Sequence, residues 1–382
     1  MPGAQGLWFG GQPMHRPTRR LCRRLPALVA GSGILCAVPA GAEGQHEFLL
    51  LPSADYVYVS DQSPPDVVDS DARAGMDVVY SYSGGGFRIL GEYMLSTDES
   101  ELERLQLGWL PTDHSILWFG RFHSPASFWI SEFHHGKYLQ TSITRPSLEQ
   151  WEDENGASPA HITGLNLEID WELQDEAALG FSVAAGLGPR FVDDELVAYD
   201  MFDPESGHGL SVAFRTSYRP QLLSPVQFGL LAGWNEINVE STSNPGLATL
   251  DRVDQLTAGV FADMRWEKLR LISSLVYHHN TLRYFGENVS DRYLLAYVQP
   301  EYSISDDVIV FGRVDIGDGE DHSVYLNLLP TFVSHRNMLG LRWDFTSSQS
   351  LTFEFADTSQ QGENFMHEHF KEVRMQWSAA IR

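Results

Sequence analysis

Residues 164–173 read G-L-N-L-E-I-D-W-E-L, a strict alternation of apolar and polar side chains. Every second residue from Leu165 to Leu173 is apolar, and three of the four residues between them are acidic. Because successive side chains of a strand point to opposite faces, this stretch predicts a β-strand with one apolar and one acidic face. In a soluble sandwich the apolar face would pack on a second sheet, whereas in an outer-membrane barrel it would contact lipid.

The same alternation recurs along the chain, and helical periodicity is almost absent. Further runs with one apolar face span residues 87–95, 179–187, 210–218, 258–266 and 373–381. Short connections with the Gly, Pro, Asp and Ser of tight turns lie at 83–86, 111–114, 174–176, 220–224, 267–268, 305–307 and 347–350. Longer polar connections lie between them, at 60–73, 97–101, 124–160, 189–207, 240–254, 281–291, 317–336 and 358–368. This rhythm predicts about sixteen strands with both termini at the end of the short turns, as in bacterial single-chain barrels.

Aromatic residues and charges indicate which face meets lipid. Aromatic side chains recur within a few residues of the short turns, at Trp109, Trp171, Tyr218, Trp266, Tyr302 and Trp343. Trp and Tyr prefer the membrane interface, so this recurrence is typical of a periplasmic aromatic girdle. An Arg or Lys on the lipid face costs about 2–4 kcal/mol at mid-bilayer, and the apolar faces of 165–173, 179–187 and 373–381 carry no charge. We therefore expect the acidic faces to line a lumen.

Residues 1–42 have the features of a secretory signal peptide. Arginines concentrated between 16 and 24 precede a weakly apolar run that ends in Ala40-Gly41-Ala42. We expect cleavage after Ala42 and a mature barrel of residues 43–382. Two prolines, three glycines and the short apolar length argue against the alternative, a membrane anchor. Both cysteines, Cys22 and Cys36, lie in this segment, which excludes a disulfide scaffold or a thiol enzyme.

The charge balance excludes one class of partner. The chain has 26 basic and 51 acidic residues and a net charge of −25. Such a chain repels nucleic acid, so we expect no nucleic-acid partner. No segment after the signal approaches the ~18 apolar residues of a spanning helix. A bilayer-embedded chain without such helices must close into a barrel, because only closure pairs every backbone group.

The longest connection, residues 124–160, is by position the third outer loop, and a loop of this length in a compact domain usually has a function. Here the chain resembles the sixteen-stranded bacterial porins, which share its turn and loop rhythm and its lack of cysteine. The segment G-R-F-H-S-P, from Gly120 to Pro125, is similar to the Gly-Arg and following Pro with which many porins leave strand five. The Pro-Glu-Phe-Gly signature of general porins is replaced by His134-His135-Gly136, and the chain ends in Ala380-Ile381-Arg382 rather than in an aromatic residue.

The resemblance implies a fold, a location and partners. The fold is all-β, a transmembrane antiparallel up-and-down barrel of about sixteen strands whose long third extracellular loop folds inward and narrows the pore. The location is the outer membrane of a Gram-negative cell, in contact with lipid and lipopolysaccharide. The implied activity is passive diffusion of small hydrophilic solutes or ions, without an enzymatic reaction or a cofactor. A homotrimer is also expected by resemblance.

The charges of the third loop and of the inward faces predict a pore constriction. The loop supplies Glu132, His134, His135, Glu149, Glu152, Asp153 and Glu154, and the wall supplies Arg121, Arg215, Arg219, Arg313, Arg342 and Arg374. Opposed acidic and basic rows would set a transverse field, since a charge pair at 4 Å is worth about 4 kcal/mol at an effective dielectric constant near 20. The excess of acidic residues predicts a preference for cations. Any one of these charges, considered alone, is more often a solvated loop residue or a structural ion pair.

Other functions stay open from sequence. His123, His134, His135 and His161 surround the third loop, which suits a channel for divalent metal, but no tight ligand motif is present and no metal site is assigned. Inward arginines suit uptake of anions such as phosphate. A barrel enzyme acting on lipid or peptide would need a nucleophile motif that we do not find. A soluble adhesive β-protein is disfavoured by the uncovered apolar faces.

Overall fold

The protein forms a closed barrel of antiparallel strands. The structure, a computed structural model, describes residues 44–60, 70–97, 100–133, 136–152, 154, 156–173, 176–221, 224–242, 249–319, 322–329, 331–361 and 367–382. The predicted signal peptide, residues 1–42, therefore lies outside the described residues. Among the residues described, no helix is both long and apolar enough to cross a bilayer.

Eighteen strands follow one another along the described chain. They are β1 (Gln45–Val59), β2 (Ser70–Gly84), β3 (Phe87–Ser96), β4 (Ser100–Thr112), β5 (Ser115–His123), β6 (His161–Glu172), β7 (Ala178–Leu187), β8 (Arg190–Val192), β9 (Glu195–Val197), β10 (Leu210–Arg219), β11 (Gln227–Asn238), β12 (Leu250–Trp266), β13 (Leu269–Tyr284), β14 (Glu287–Ser303), β15 (Val308–Asp318), β16 (Val333–Thr346), β17 (Gln349–Gln361) and β18 (His367–Ala379). The helical elements are α1 (Phe128–Phe133) and the 3-10 turns Ser147–Glu149 and Leu326–Leu328.

Sixteen of these strands, β1–β7 and β10–β18, make the barrel, and β8 and β9 form a separate two-stranded sheet. Each barrel strand pairs with the barrel strands before and after it in the chain, so that β7 pairs with β10. Pairing of β1 with β18 closes the ring. The predicted up-and-down barrel of about sixteen strands is confirmed. We call its two ends the short-turn end, where β1 begins and β18 ends, and the long-loop end, from which the third loop (residues 124–160) starts.

The alternation in the sequence corresponds to outward and inward faces. In β6 the side chain of Leu165 is 46% exposed on the outer surface, whereas Asn166 is 5% exposed and faces the lumen. The same parity holds in β7, β10, β12 and β18, where the predicted apolar faces point outward. At the end of the chain Ile381 forms an isolated bridge with Leu50, so pairing continues past β18 without a terminal aromatic residue.

One predicted loop is wrong. Residues 281–291 form the tips of β13 and β14, which are joined by Phe285 and Gly286. Gly286 has a φ of 103°, a value that favours glycine in a tight turn. The polar residues that suggested a loop lie in the outer parts of two long strands, and β14 alone has 17 residues.

Part of the barrel interior is apolar. Inward-facing Leu231, Phe261 and Val276 pack with Phe128 and Trp129 of the third loop in one buried cluster. Further members come from the hairpin β8–β9 and from the segment 322–332, namely Phe191, Leu196, Tyr325, Leu326, Leu328, Leu329 and Phe332. We call this cluster the apolar layer. It fills the lumen along β11–β14, so water is confined to the remaining part of the bore.

Candidate functional site

The third loop folds into the barrel and forms α1 there. Ser127 caps the helix, because its hydroxyl accepts a hydrogen bond from the backbone N–H of Ile130 at 3.3 Å. The ring of Phe128 stacks on Phe261 of β12 with a centroid distance of 4.4 Å. The indole N–H of Trp129 donates to Oε1 of Gln140 at 2.9 Å. Because the helix is short, it is the packing of its apolar side chains against the wall that stabilises it in this position.

The following part of the loop is attached to the opposite wall by three charged side chains. Arg313 of β15 donates to the backbone carbonyls of Thr144 and Arg145 at 2.6 and 2.8 Å. Arg342 of β16 donates to the carbonyls of Tyr138 and Gln140 at 2.9 and 2.5 Å. Glu354 of β17 accepts hydrogen bonds from the backbone N–H groups of Ile143 and Thr144. We call Arg313, Arg342 and Glu354 the loop anchor.

The loop anchor changes the interpretation of two predicted pore residues. Arg313 is 1% exposed and Arg342 is 7% exposed, because residues 138–145 cover both. Their guanidinium groups satisfy backbone carbonyls of the loop instead of facing water. Both arginines therefore lie beneath the loop, and their part in a basic row along the pore stays a prediction.

Glu149 and Glu152 also lie inside the loop. The hydroxyl of Ser127 donates to the carboxylate of Glu149, and burial raises the pKa of Glu149 to about 7. Glu152 accepts the backbone N–H groups of Ala160 and His161, each at 2.7 Å. Both carboxylates are almost fully buried. They stabilise the conformation of the loop, and their part in a pore constriction stays a prediction.

Glu132 and Arg215 are the predicted pair that the fold brings together at the lumen. Nη1 of Arg215 in β10 lies 3.3 Å from Oε1 of Glu132 in α1, and about a fifth of each side chain is exposed. This ion pair joins the loop to the wall across the accessible part of the bore. The pair joins an acid of the loop to an arginine of the wall, and its role in a constriction stays a prediction.

Three other predicted arginines form separate ion pairs, and one of them, Arg219, also lines the cavity described below. Arg121 pairs with Glu101, Arg219 pairs with Asp170, and Arg374 pairs with Glu372 at 2.6 Å. Glu154 is half exposed and lies 3.5 Å from Arg145 within the loop. His134, His135 and Asp153 lie outside the described residues.

A cavity of about 250 Å³ lies between α1 and the inward faces of β3–β7 and β10–β13. Its charged lining consists of five arginines and four carboxylates, Arg104, Arg215, Arg219, Arg265, Arg270, Glu132, Glu168, Asp170 and Asp263. Arg270 pairs with Asp263 at 2.6 Å and with Glu301 at 3.5 Å. The lining is close to electrically neutral although the whole chain is strongly acidic.

Sequence reasoning missed several of these lining residues as site residues. Asp170, Glu168 and Asp263 occupy inward positions of alternating strands, but the predicted constriction combines acids of the long loop with arginines of the wall and includes no acids of the wall. Arg104 was harder to find, since a β-bulge opposite Glu92 and Tyr93 shifts the parity of β4. The other lining residues can be identified from the sequence because they occupy inward-facing positions of strands near the short turns.

Comparison with solved structures shows the fold. An anion-selective porin from Comamonas acidovorans is similar over 89% of this chain and 100% of its own, with 13% identity and a TM-score of 0.57. The outer membrane channel DcaP of Acinetobacter baumannii is similar over 90% and 99%, with 11% identity and a TM-score of 0.56. The trimer form of OmpT, an outer membrane protein of Vibrio cholerae, is similar over 88% and 99%, with 12% identity and a TM-score of 0.53.

The sequence matches no protein-family model and no curated protein sequence. The structural likeness nevertheless covers nearly the whole of each porin chain. At these identities it establishes the architecture, a sixteen-stranded barrel of the porin type with an inward third loop. The resemblance to the sixteen-stranded porins that the sequence predicted is confirmed at the level of the fold.

Proposed function

We propose that the protein is an outer-membrane channel through which small hydrophilic solutes or ions diffuse passively. The observation that carries the proposal is the combination of a closed barrel, an apolar outer surface and a charged cavity beside an inward loop. A closed barrel can lie in hydrocarbon because every backbone group of its wall is paired. A polar bore inside it gives water and solutes a path.

The outer surface supports the membrane location. At the short-turn end Trp109, Trp171, Trp266, Tyr302 and Trp343 all expose about half of their side chains. An aromatic ring with one apolar and one wet end is most stable at the membrane interface. We therefore place the short-turn end at the periplasm, which agrees with a signal peptide in residues 1–42 and export to the outer membrane. Lipid and lipopolysaccharide would contact the apolar belt between the two interfaces.

The ion pair of Glu132 and Arg215 is our candidate for the constriction. It joins the loop to the wall within the charged cavity, so a solute that passes between α1 and β10 meets both charges. Opposite charges in a narrow bore select by orientation and by charge, and their effect decreases as salt screens them.

A preference for cations is supported by the loops of the long-loop end. The fourth outer loop, between β7 and β10, carries six carboxylates but one arginine, Asp193, Asp194, Glu195, Asp200, Asp203, Glu205 and Arg190. Carboxylates around an entrance raise the local concentration of cations. The net charge of −25 acts in the same direction.

Passage of anions is the second candidate, and the cavity favours it. Five arginines against four carboxylates line the space that a solute must cross. The porin from Comamonas acidovorans, which shares the fold, is an anion-selective one. The two candidates differ in whether the entrance or the cavity controls selectivity.

Reversal potentials across a planar bilayer in a KCl gradient decide between them. The channel proposal requires stepwise currents from the purified wild type, and an enzymatic barrel would show turnover without such currents. Glu132→Gln should shift the reversal potential towards anions, and Arg215→Gln should shift it towards cations. Asp306→Asn, in an exposed short turn, is the matched control and should leave the potential unchanged. Absence of stepwise current overturns the channel, and equal potentials in all variants overturn the constriction.

A homotrimer completes the proposal. The barrel exposes large apolar side chains over its outer surface, and one of the structures with this fold is described as a trimer form. Native mass spectrometry of the protein released from detergent should give three times the mass of one chain. A monomer under these conditions contradicts the trimer without affecting the channel.

A further inference from the structure

The two ends of the third loop meet at a buried cluster of potential metal ligands. Glu103 of β4, His123 at the end of β5 and His161 at the start of β6 each offer one ligand atom, and these atoms lie within 4.8 Å of one another. His123 and His161 are direct partners in the pairing of β5 with β6. All three side chains are less than 9% exposed.

Two irregularities of the barrel assemble this cluster. A β-bulge leaves Glu103 as an extra residue between Leu102 and Arg104, which pair with Tyr93 and Glu92 of β3. Bulges redirect side chains, and here both Glu103 and Arg104 are buried. The strand pair β5–β6 in turn sets the two imidazole rings beside each other, with a centroid distance of 5.2 Å. Residues that lie far apart in sequence thus form one group without a local sequence motif.

The orientation of His161 is the second observation that indicates a metal. Its Nδ1 lies 2.8 Å from Oε2 of Glu152, and its Nε2 lies 3.2 Å from Oε2 of Glu103. Glu152 is itself fixed by two backbone N–H groups. A histidine that binds metal through one nitrogen commonly donates the other N–H to a carboxylate, which fixes the ring and its tautomer. The indole of Trp151 stacks on the same ring, with an interplanar angle of 14°.

We propose that Glu103, His123 and His161 bind one divalent transition-metal cation of the zinc type, with Glu152 as the positioning residue. Two imidazoles and one carboxylate form a familiar three-ligand zinc set, and water supplies a fourth ligand. Tetrahedral ligands at bonds of 2.0–2.1 Å lie about 3.3 Å apart, close to the 3.2 Å between His161 and Glu103. His123 must approach the other two by a small side-chain rotation. Mg²⁺ and Ca²⁺ prefer all-oxygen sites and are not expected to compete.

The site is connected to the lumen. His123 also lines the charged cavity, together with Arg104 and Ser131, so an ion has a path of entry. A bound ion would join β4, β5 and β6 at the point where the third loop leaves and re-enters the wall. This inference goes beyond the proposed channel, because the site can bind metal whether or not solutes pass.

Metal binding tests the proposal directly. The protein is expressed without a polyhistidine tag, folded in detergent, stripped with EDTA and dialysed against Zn²⁺, and bound zinc is counted by mass spectrometry. We expect one zinc per chain, retained in excess Mg²⁺. His123→Gln should weaken binding at least tenfold, whereas His114→Gln, an exposed histidine of a short turn, should bind as the wild type does. Glu152→Gln should weaken binding by about 10–100-fold, as expected for loss of a carboxylate that orients a ligand.

Two outcomes overturn the site. One is equal zinc content in the wild type and in His123→Gln, and the other is displacement of zinc by Mg²⁺. Glu103→Gln is the second ligand variant, and the shift in gel mobility on heating verifies that each variant is a folded barrel. X-ray absorption at the zinc edge should show two imidazole ligands in the wild type. None of these measurements depends on conductance, so failure here and failure of the channel are distinguishable.

Discussion

Arg313 makes two hydrogen bonds to Thr144, donating to its backbone carbonyl at 2.6 Å and to its hydroxyl at 2.9 Å. The two residues are separated by 169 positions in the chain. Arg313 also pairs with Asp315 at 3.0 Å, and both side chains are fully shielded from water. The third loop is therefore attached to the wall by a buried, charge-assisted network, whose bonds are stronger than those between neutral groups.

Replacement of Arg313 by methionine should release this part of the loop. The variant keeps a long side chain but removes the guanidinium that donates to two loop carbonyls and pairs with the carboxylate of Asp315, and breaking a buried ion pair costs about 3–5 kcal/mol. We expect larger single-channel conductance with frequent fluctuations, measured in planar bilayers. Arg88→Met, which removes an arginine from the inward face of β3, is the control. Conductance as steady as that of the wild type would contradict the role of Arg313.

Replacement of Glu354 by glutamine should loosen the same loop locally. Its carboxylate accepts the N–H groups of Ile143 and Thr144 and lies 3.1 Å from the Thr144 hydroxyl. A hydrogen bond to a charged group is worth about 1.5–3 kcal/mol. Amide hydrogen exchange should become about tenfold faster or more in residues 140–147, with little change in peptides from β11–β14. Uniform acceleration over the barrel would indicate general destabilisation instead of a loop anchor.

The packing of the loop should depend on pH through Glu149. Burial raises the pKa of Glu149 from 4.5 to about 7, so the docked loop holds this proton more tightly than an undocked loop does. Docking is then most stable below pH 4.5, weakens as the pH rises from 4.5 to 7, and changes no further above that. At 1.36 kcal/mol per pKa unit the loss is at most about 3 kcal/mol. The protection factors of the amides in residues 127–133, which are corrected for the intrinsic rise of amide exchange with pH, should decrease over this range.

Glu149→Gln should abolish this decrease in protection, because the amide side chain does not titrate. Glu154→Gln, at a half-exposed position of the same loop, should leave it intact. If both variants keep the pH dependence of the wild type, another group is responsible.

In the proposed membrane barrel, the outer surface predicts an effect of substitution that depends on depth in the bilayer. Leu339, in the middle of β16, is 70% exposed on the outer face, and Trp343 lies on the same face near the short-turn end. Arginine on the lipid face costs about 2–4 kcal/mol at mid-bilayer and about 0–1 kcal/mol near the interface. Leu339→Arg should therefore destabilise folding into lipid vesicles far more than Trp343→Arg does. Equal losses in reversible urea titrations would be incompatible with a bilayer around the barrel.

Most of the architecture could be predicted because strand parity reports directly on the two environments of a barrel wall. The outward leucines of β6 and the outward aromatic residues at the short turns follow from alternation alone. The strand tips at residues 281–291 could not be predicted, since polar residues at the long-loop end look alike in a strand and in a loop. The apolar layer was also missed, because alternation does not show that loops will fold in and cover Leu231 or Phe261.

The site was harder to predict for a related reason. Parity places Arg313, Arg342 and Arg215 on the inward face alike, but only Arg215 reaches the cavity, since residues 138–145 cover the other two. Which charges stay wet depends on where the third loop docks, and that is a contact between distant parts of the chain. Glu149 and Glu152 illustrate the same limit, because an acid in a long polar loop is expected to be solvated unless the partners that bury it are known.

The separation between the third loop and its anchor bears on biogenesis. The loop is synthesised with β5 and β6, yet the groups that receive it belong to β15–β17, up to 211 positions further along the chain. Contacts of such long range form late, because the intervening chain must first be ordered. In the proposed outer-membrane channel, an insertion intermediate that lacks its last strands would therefore have an undocked loop and a wide, leaky opening. Retention of the nascent chain until the C-terminal strands arrive would protect the cell from that leak.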